Sequence, residues 1–162
     1  MSIILEGPDG GGKTTLGLQL AEKLGMIHKP SEGPEKYPGE INERIKRYAI
    51  IDDSRFIYDR HPCISQVAYA VNVHAQTTPD ADLIEAFYAR TDQLIIYCRP
   101  NTAEVVHTAN REWDTPEFTA AINKNFDGLM RWYDEWAVRQ AHIIYRIGDM
   151  HNLELLLEGI FK

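Results

Sequence analysis

The chain has 162 residues, a formal net charge of −7, 44% hydrophobic residues and 25% charged residues. That is one domain, 1–162, large enough to bury a real core, and the composition excludes disordered and fibrous classes. An acidic balance argues against a broad nucleic-acid interface, which needs a basic face, and no apolar run reaches membrane-spanning length. The two cysteines, Cys63 and Cys98, sit in apolar surroundings and suggest no disulfide framework, so a reducing cytoplasm is expected. Met1 runs directly into a strand pattern, which is not how a signal peptide begins.

The apolar run Ser2-Ile3-Ile4-Leu5 reads as a buried strand. A helix is predicted from about Gly12 to Leu24, with Leu16, Leu20 and Leu24 on one face and Gly25 as its stop. Met26-Ile27-His28 reads as a short second strand. Residues 29–39 hold three prolines and two glycines and read as loop. Glu40 to Tyr48 reads as helix, and Arg55 to Asp59 as a strand ending on a carboxylate. Pro62 suits a first helical turn, followed by Ile64, Val67, Ala68 and Val71 as an apolar face. A helix opened by Pro79-Asp80 runs through Arg90, and Gln93 to Cys98 is a strand closed by Arg99-Pro100. A short helix and a polar segment from Arg111 to Pro116 follow. Glu117 to Gln140 reads as one long helix with a core stripe of Phe118, Ile122, Phe126, Leu129, Tyr133 and Trp136. Ala141 to Ile147 reads as the last strand and Leu153 to Phe161 as the last helix. Strands alternating with helices predict a three-layer α/β sandwich around a five-stranded parallel sheet, with ligands at the carboxyl ends of the strands.

The loop between the first strand and helix, Gly7-Pro8-Asp9-Gly10-Gly11-Gly12-Lys13-Thr14, fits G-x-x-x-x-G-K-S/T. Strand, glycine loop, helix is the context this phosphate-binding motif requires. Its glycines let backbone N–H groups turn toward a polyphosphate, and the helix N-terminus adds positive potential. Lys13 is then placed for the β- and γ-phosphates, and the Thr14 hydroxyl for Mg²⁺. The ligand expected there is ATP, held by Gly7, Asp9, Gly10, Gly11, Gly12, Lys13, Thr14 and Thr15. No Asn-Lys-x-Asp guanine reader is present, and no apolar strand ends in Asp-Glu, which sets aside GTPases and motor-type ATPases. Instead the third strand ends Asp59-Arg60: a carboxylate that suits a Mg²⁺ hydration shell and an arginine that can grip a second phosphate bidentately.

Glu6-Gly7-Pro8-Asp9-Gly10-Gly11-Gly12-Lys13-Thr14-Thr15 resembles the loop of thymidylate kinases, E-G-x-D/E-x-x-G-K-S/T-T. The stretch from Phe56 to Tyr69 resembles that family's strand and D-R-Y/F/H-x-x-S-x-x-A-Y/F motif, and the short length is similar to the compact bacteriophage type. The resemblance is tightest over the first 70 residues. It implies a deoxynucleoside monophosphate kinase, with dTMP the favoured acceptor, ATP the donor, Mg²⁺ the metal, a pair of copies as the assembly, and the host cytoplasm as the location. It implies that Asp9 meets the acceptor's 3′-hydroxyl and phosphate surroundings, that Asp59 is the strand-end acid, that Arg60 positions the acceptor phosphate, and that Tyr69 crowds the 2′-position. Ser65 and Gln66 lie on the same helix, Gln66 near the position that reads the base edge with an amide offering donor and acceptor.

The departures are specific. Ser65 and Tyr69 each sit one residue later than the family spacing. The family's R-E-P segment stands here as His28-Lys29-Pro30, leaving Lys29, Arg44 or Arg47 to replace the arginine. In the lid, taken as residues 108–117, Arg111 is the only arginine between Arg99 and Arg131. With Lys13 it is assigned to the charge on the transferring γ-phosphoryl group. His107 stands near where the family stacks a side chain on adenine, with a solvent-facing helix position as the alternative. Arg99 is either a strand-end phosphate ligand or half of a helix-capping ion pair, and Tyr37 and Tyr48 are candidates to stack on the acceptor base. Three other readings stay open: a deoxynucleoside kinase, a kinase of polynucleotides or modified bases, and a non-catalytic ATP-binding switch.

Overall fold

The computed structural model describes residues 1–73, 77–101 and 114–161. The elements, in chain order, are β1 (Ser2–Glu6), α1 (Lys13–Leu24), β2 (Ile27–Lys29), α2 (Glu40–Ala49), β3 (Phe56–Asp59), α3 (Pro62–Asn72), α4 (Ala81–Tyr88), β4 (Gln93–Cys98), α5 (Pro116–Lys124), α6 (Phe126–Gln140), β5 (Ile143–Tyr145) and α7 (Met150–Phe161). The five strands form one sheet in the order β2-β3-β1-β4-β5, and every pairing is parallel. In register, Leu5 lies opposite Asp59, and Glu6 opposite Tyr97. The ends of β1, β3 and β4 therefore meet at one edge, with the β1 loop between its two neighbours.

Alternation along the strands sorts the core into two layers. Ile3, Leu5, Ile57, Leu94 and Ile96 pack with Leu16 and Leu20 of α1 and with Leu153 and Leu157 of α7. Ile4, Tyr58, Ile95 and Tyr97 face the other way, onto residues of α2, α3, α4, α5 and α6. Burying Leu16 and Leu20 contributes about 2 kcal/mol each, and that anchors the helix whose first turn carries the phosphate loop. Gly25 ends α1 in the left-handed conformation, its N–H returning to the Ala21 carbonyl.

Two expectations are corrected. The helix expected from Glu117 to Gln140 is two helices, broken at Asn125. The Asn125 side chain donates to the Ala121 carbonyl at 2.8 Å, and its backbone leaves the helical region at φ −108° and ψ 14°. Asparagine offers the backbone this local alternative, and the apolar stripe carries on across the break, so periodicity alone hides it. Val71 is 66% exposed, and the core face of α3 is Cys63, Ile64, Ala68 and Tyr69. Among the described residues no helix is long and apolar enough to cross a membrane.

Candidate active site

The phosphate loop is pressed onto β4. A Cβ on Gly11 would stand 2.1 Å from the Cys98 carbonyl oxygen, which excludes any side chain there. Gly12 caps α1 with φ +75°, a conformation that disfavours a Cβ. From the first turn of α1, Lys13 folds back over the loop and donates to the carbonyls of Gly7 at 2.9 Å and Pro8 at 2.8 Å. Burial lowers the affinity of its amine for a proton, as does the nearby Arg60, while Asp9 and Asp59 oppose both.

Thr14 donates its hydroxyl hydrogen to Asp59 Oδ2 at 2.5 Å, joining the start of α1 to the end of β3. Next to them His28 Nε2 is buried without a hydrogen-bond partner among the described residues, 3.9 Å from the same carboxylate oxygen. A hydroxyl and a carboxylate are the hard oxygen donors Mg²⁺ takes, and an orphaned imidazole nitrogen suits one of the waters that Mg²⁺ keeps. The donor set fits the ion.

Arg60 has φ +76°, the only non-glycine with positive φ among the described residues. Holding an arginine there costs roughly 1–3 kcal/mol, and such strain persists only where surroundings over-determine it. They do so here. The Arg60 N–H donates to the Leu5 carbonyl at 2.9 Å, and the next N–H, of His61, donates to Glu6 Oε1 at 2.6 Å. The guanidinium donates to Asp9 at 3.2 Å, to the Tyr69 hydroxyl at 2.9 Å and to the Tyr133 hydroxyl at 3.4 Å, and lies over the Tyr69 ring. Tyr69 donates to Asp9 Oδ2 at 3.1 Å. Arg60 is half-buried and faces a cleft that Ser31, Gly33, Arg44, Ser65 and Gln66 also line.

The structure thus brings together Asp9, Lys13, Thr14, Asp59, Arg60 and Tyr69. Ser65 and Gln66 line the cleft, but Ser65 gives its hydroxyl hydrogen to the His61 carbonyl and Gln66 gives an amide hydrogen to the Thr77 carbonyl. Thr15 is exposed on α1. Arg44 is buried and committed to Glu40 and to the Gly33 and Pro34 carbonyls, and Arg47 is exposed beside Glu32. Arg99 forms a two-pronged ion pair with Asp134, at 2.8 and 3.1 Å, in the middle of α6 and not at a helix cap. Tyr48 bonds Glu32 and lies under Lys29, while Tyr37 bonds Glu43. His107, Arg111 and lid residues 108–113 lie outside the described residues.

Two site residues escaped the sequence reading. Glu6 is fully buried; burial pushes its carboxyl pKa up, while Arg60, the His61 N–H, Tyr133 and Lys13 pull it down. Tyr133, assigned to plain core packing, donates to Glu6 Oε2 at 2.9 Å while accepting from Arg60. The signals were an acid ending an apolar strand and one hydroxyl in an apolar helix stripe.

A parallel sheet of order 2-3-1-4-5, with a glycine loop and lysine leaving its central strand, defines the α/β fold of phosphate-loop kinases. Solved structures with this fold align over nearly the whole chain. The YorR protein of Bacillus subtilis, in complex with phosphorylated GDP, matches with TM-score 0.68 and 19% identity, over 98% of this chain and 96% of that one. Thymidylate kinase from Ehrlichia chaffeensis matches with TM-score 0.53 and 18% identity, over 99% and 97%. Deoxyadenosine kinase from M. mycoides with bound dATP matches with TM-score 0.50 and 16% identity, over all of both chains. No protein-family profile and no curated protein sequence matches the chain.

Proposed function

We propose that the protein transfers the γ-phosphoryl group of ATP to a deoxynucleoside monophosphate, dTMP being the favoured acceptor. The observation that carries this is Arg60: a largely enclosed guanidinium in a strained backbone, held by Asp9 of the phosphate loop and lining a small cleft. One cation on the loop and a second across a short gap suit two phosphate groups brought end to end. The thymidylate kinase among the structural neighbours supports this reading, while the deoxyadenosine kinase supports phosphoryl transfer to a nucleoside-type acceptor more broadly.

Phosphoryl transfer asks little covalent chemistry of the protein; alignment and charge stabilisation dominate. Lys13 would meet the β- and γ-phosphates, and Arg60 would hold the acceptor phosphate in line. Thr14 and Asp59 would hold Mg²⁺, which neutralises charge on the triphosphate oxygens when bound. Asp9 would fix the sugar through its 3′-hydroxyl, and Tyr69 would fill the space a 2′-hydroxyl needs. A phosphate oxygen is already nucleophilic, so no strong general base is needed. Arg111 would add charge from the lid segment, and a lid that excluded water would prevent hydrolysis of ATP.

A coupled assay over nucleosides, nucleoside monophosphates and oligonucleotides tests the reading. Turnover with deoxynucleoside monophosphates, highest for dTMP, is the expected result. Turnover with nucleosides or DNA ends alone moves the protein to another kinase class, and ATP binding without any transfer makes it a switch.

A further inference from the structure

Glu6 has no part in the chemistry proposed above, yet it is the best-enclosed acid beside the site, with no exposed surface at the end of β1. Its three hydrogen-bond donors are the His61 N–H at 2.6 Å, the Tyr133 hydroxyl at 2.9 Å and the Gly7 N–H at 3.3 Å. The first two bear on Arg60 from both sides. The peptide N–H groups before and after the Arg60 Cα are tied to consecutive residues of β1, one to the Leu5 carbonyl and one to the Glu6 carboxylate. Turning Arg60 to an ordinary φ would break one of these ties. Tyr133 meanwhile donates to Glu6 and accepts from the Arg60 guanidinium at 3.4 Å, so the same carboxylate also orients the ring that touches the arginine head.

We propose that Glu6 is the positioning residue for Arg60: its carboxylate locks the left-handed backbone through His61 and steadies the guanidinium through Tyr133, so that the arginine enters the cleft already aimed. This rests on the role given to Arg60 under the proposed function. Glu6 touches no substrate in this scheme and acts on the acceptor side through Arg60, the Gly7 N–H being its one tie to the phosphate loop.

The test uses Glu6→Gln, Glu6→Ala, Tyr133→Phe and Arg60→Ala in the full chain. Glu6→Ala raises the KM for the monophosphate tenfold or more and leaves that for ATP within twofold. Glu6→Gln, whose amide oxygen can still accept from His61, recovers most of the loss. Glu6→Ala adds nothing on the Arg60→Ala background. If Glu6→Ala does not fold, Tyr133→Phe carries the test, with a several-fold rise confined to the monophosphate. Parallel rises in both constants, or full additivity with Arg60→Ala, overturn the proposal. A substrate-free arm keeps it separate from the kinase reading: the Arg60 Nη–H and His61 amide hydrogens exchange slowly in the wild type, fast in Glu6→Ala and at an intermediate rate in Glu6→Gln. Unchanged signals overturn the positioning role whatever the activity. Changed signals in a protein that phosphorylates no nucleotide sustain it and retire the kinase reading.

Discussion

The Tyr69 hydroxyl and the Asp9 carboxylate meet at 3.1 Å, across the gap between α3 and the phosphate loop, and Arg60 touches both. Tyr69 reaches the loop although it stands one residue later than the resemblance predicts. Its buried ring is the side chain available to sense the sugar beside Asp9. The wild type is expected to prefer dTMP over its ribo analogue by roughly 10- to 200-fold, the range a steric and desolvation penalty supplies. Tyr69→Ala should erase the preference; comparing kcat/KM for the two sugars in both proteins decides it, and equal values in the wild type remove the gate.

Lys13→Ala should lower kcat by at least about 100- to 1000-fold, the effect of removing one group aimed at developing charge. Lys13 also bonds two loop carbonyls, so a small fall in melting temperature accompanies the loss. A folded variant that turns over at near-normal rate takes Lys13 out of the mechanism.

Arg60→Ala and Arg60→Gly should both impair use of the monophosphate far more than use of ATP. They should differ in stability. At φ +76° glycine avoids the strain an alanine keeps, about 1 kcal/mol, which is roughly 2–4 °C in a chain of this size. Substrate titrations and melting curves of the pair separate the side chain's role from the backbone's. A higher melting temperature for the alanine variant refutes the strain.

Arg99 is paired with Asp134, and under the proposed function Arg111 is the lid cation. Arg111→Ala is expected to cut kcat more than it weakens binding of either substrate, because its charge is used where charge grows. Single-turnover rates alongside equilibrium binding check this, and an unchanged rate assigns the charge to another residue.

His61 carries a pH dependence. Burial, aided by Arg90, drops its pKa from the ordinary 6.5 to about 3. Its ring stacks on Phe87, and Nδ1 accepts from the Cys63 N–H at the start of α3, which a protonated ring cannot do. The unfolded chain binds a proton below pH 6.5 and the folded chain does not, so this contribution is complete above 6.5 and is lost as pH falls toward about 3. The slope approaches 1.4 kcal/mol per pH unit. His61→Asn keeps a capping acceptor without the titration, so it should melt lower at neutral pH yet lose less on acidification. Parallel stability curves for the two proteins contradict the assignment.

The sheet and the phosphate loop were legible because each rests on a local rule. Continuous apolar strands such as Leu94 to Cys98, a glycine loop and a leucine-faced helix need only their own sequence to be read. The corrections fall where tertiary context decides. Asn125 breaks a helix without interrupting its apolar stripe, because its side chain competes for the Ala121 carbonyl. Arg44 offers a cation in sequence, but Glu40 and two loop carbonyls claim it. The role of Glu6 depends on His61 and Tyr133, 55 and 127 residues away, a meeting no local pattern encodes.

Consecutive residues of α6 serve different strand ends: Tyr133 bonds Glu6 at the end of β1, and Asp134 bonds Tyr97 and Arg99 at the end of β4. Adding or deleting one residue between Asn125 and Tyr133 would turn everything beyond it by about 100° and cast off both ties together. The helix is therefore phase-locked downstream of Asn125. Upstream the interruption absorbs a change of register, so α5 can shift its phase against α6 without casting off either tie.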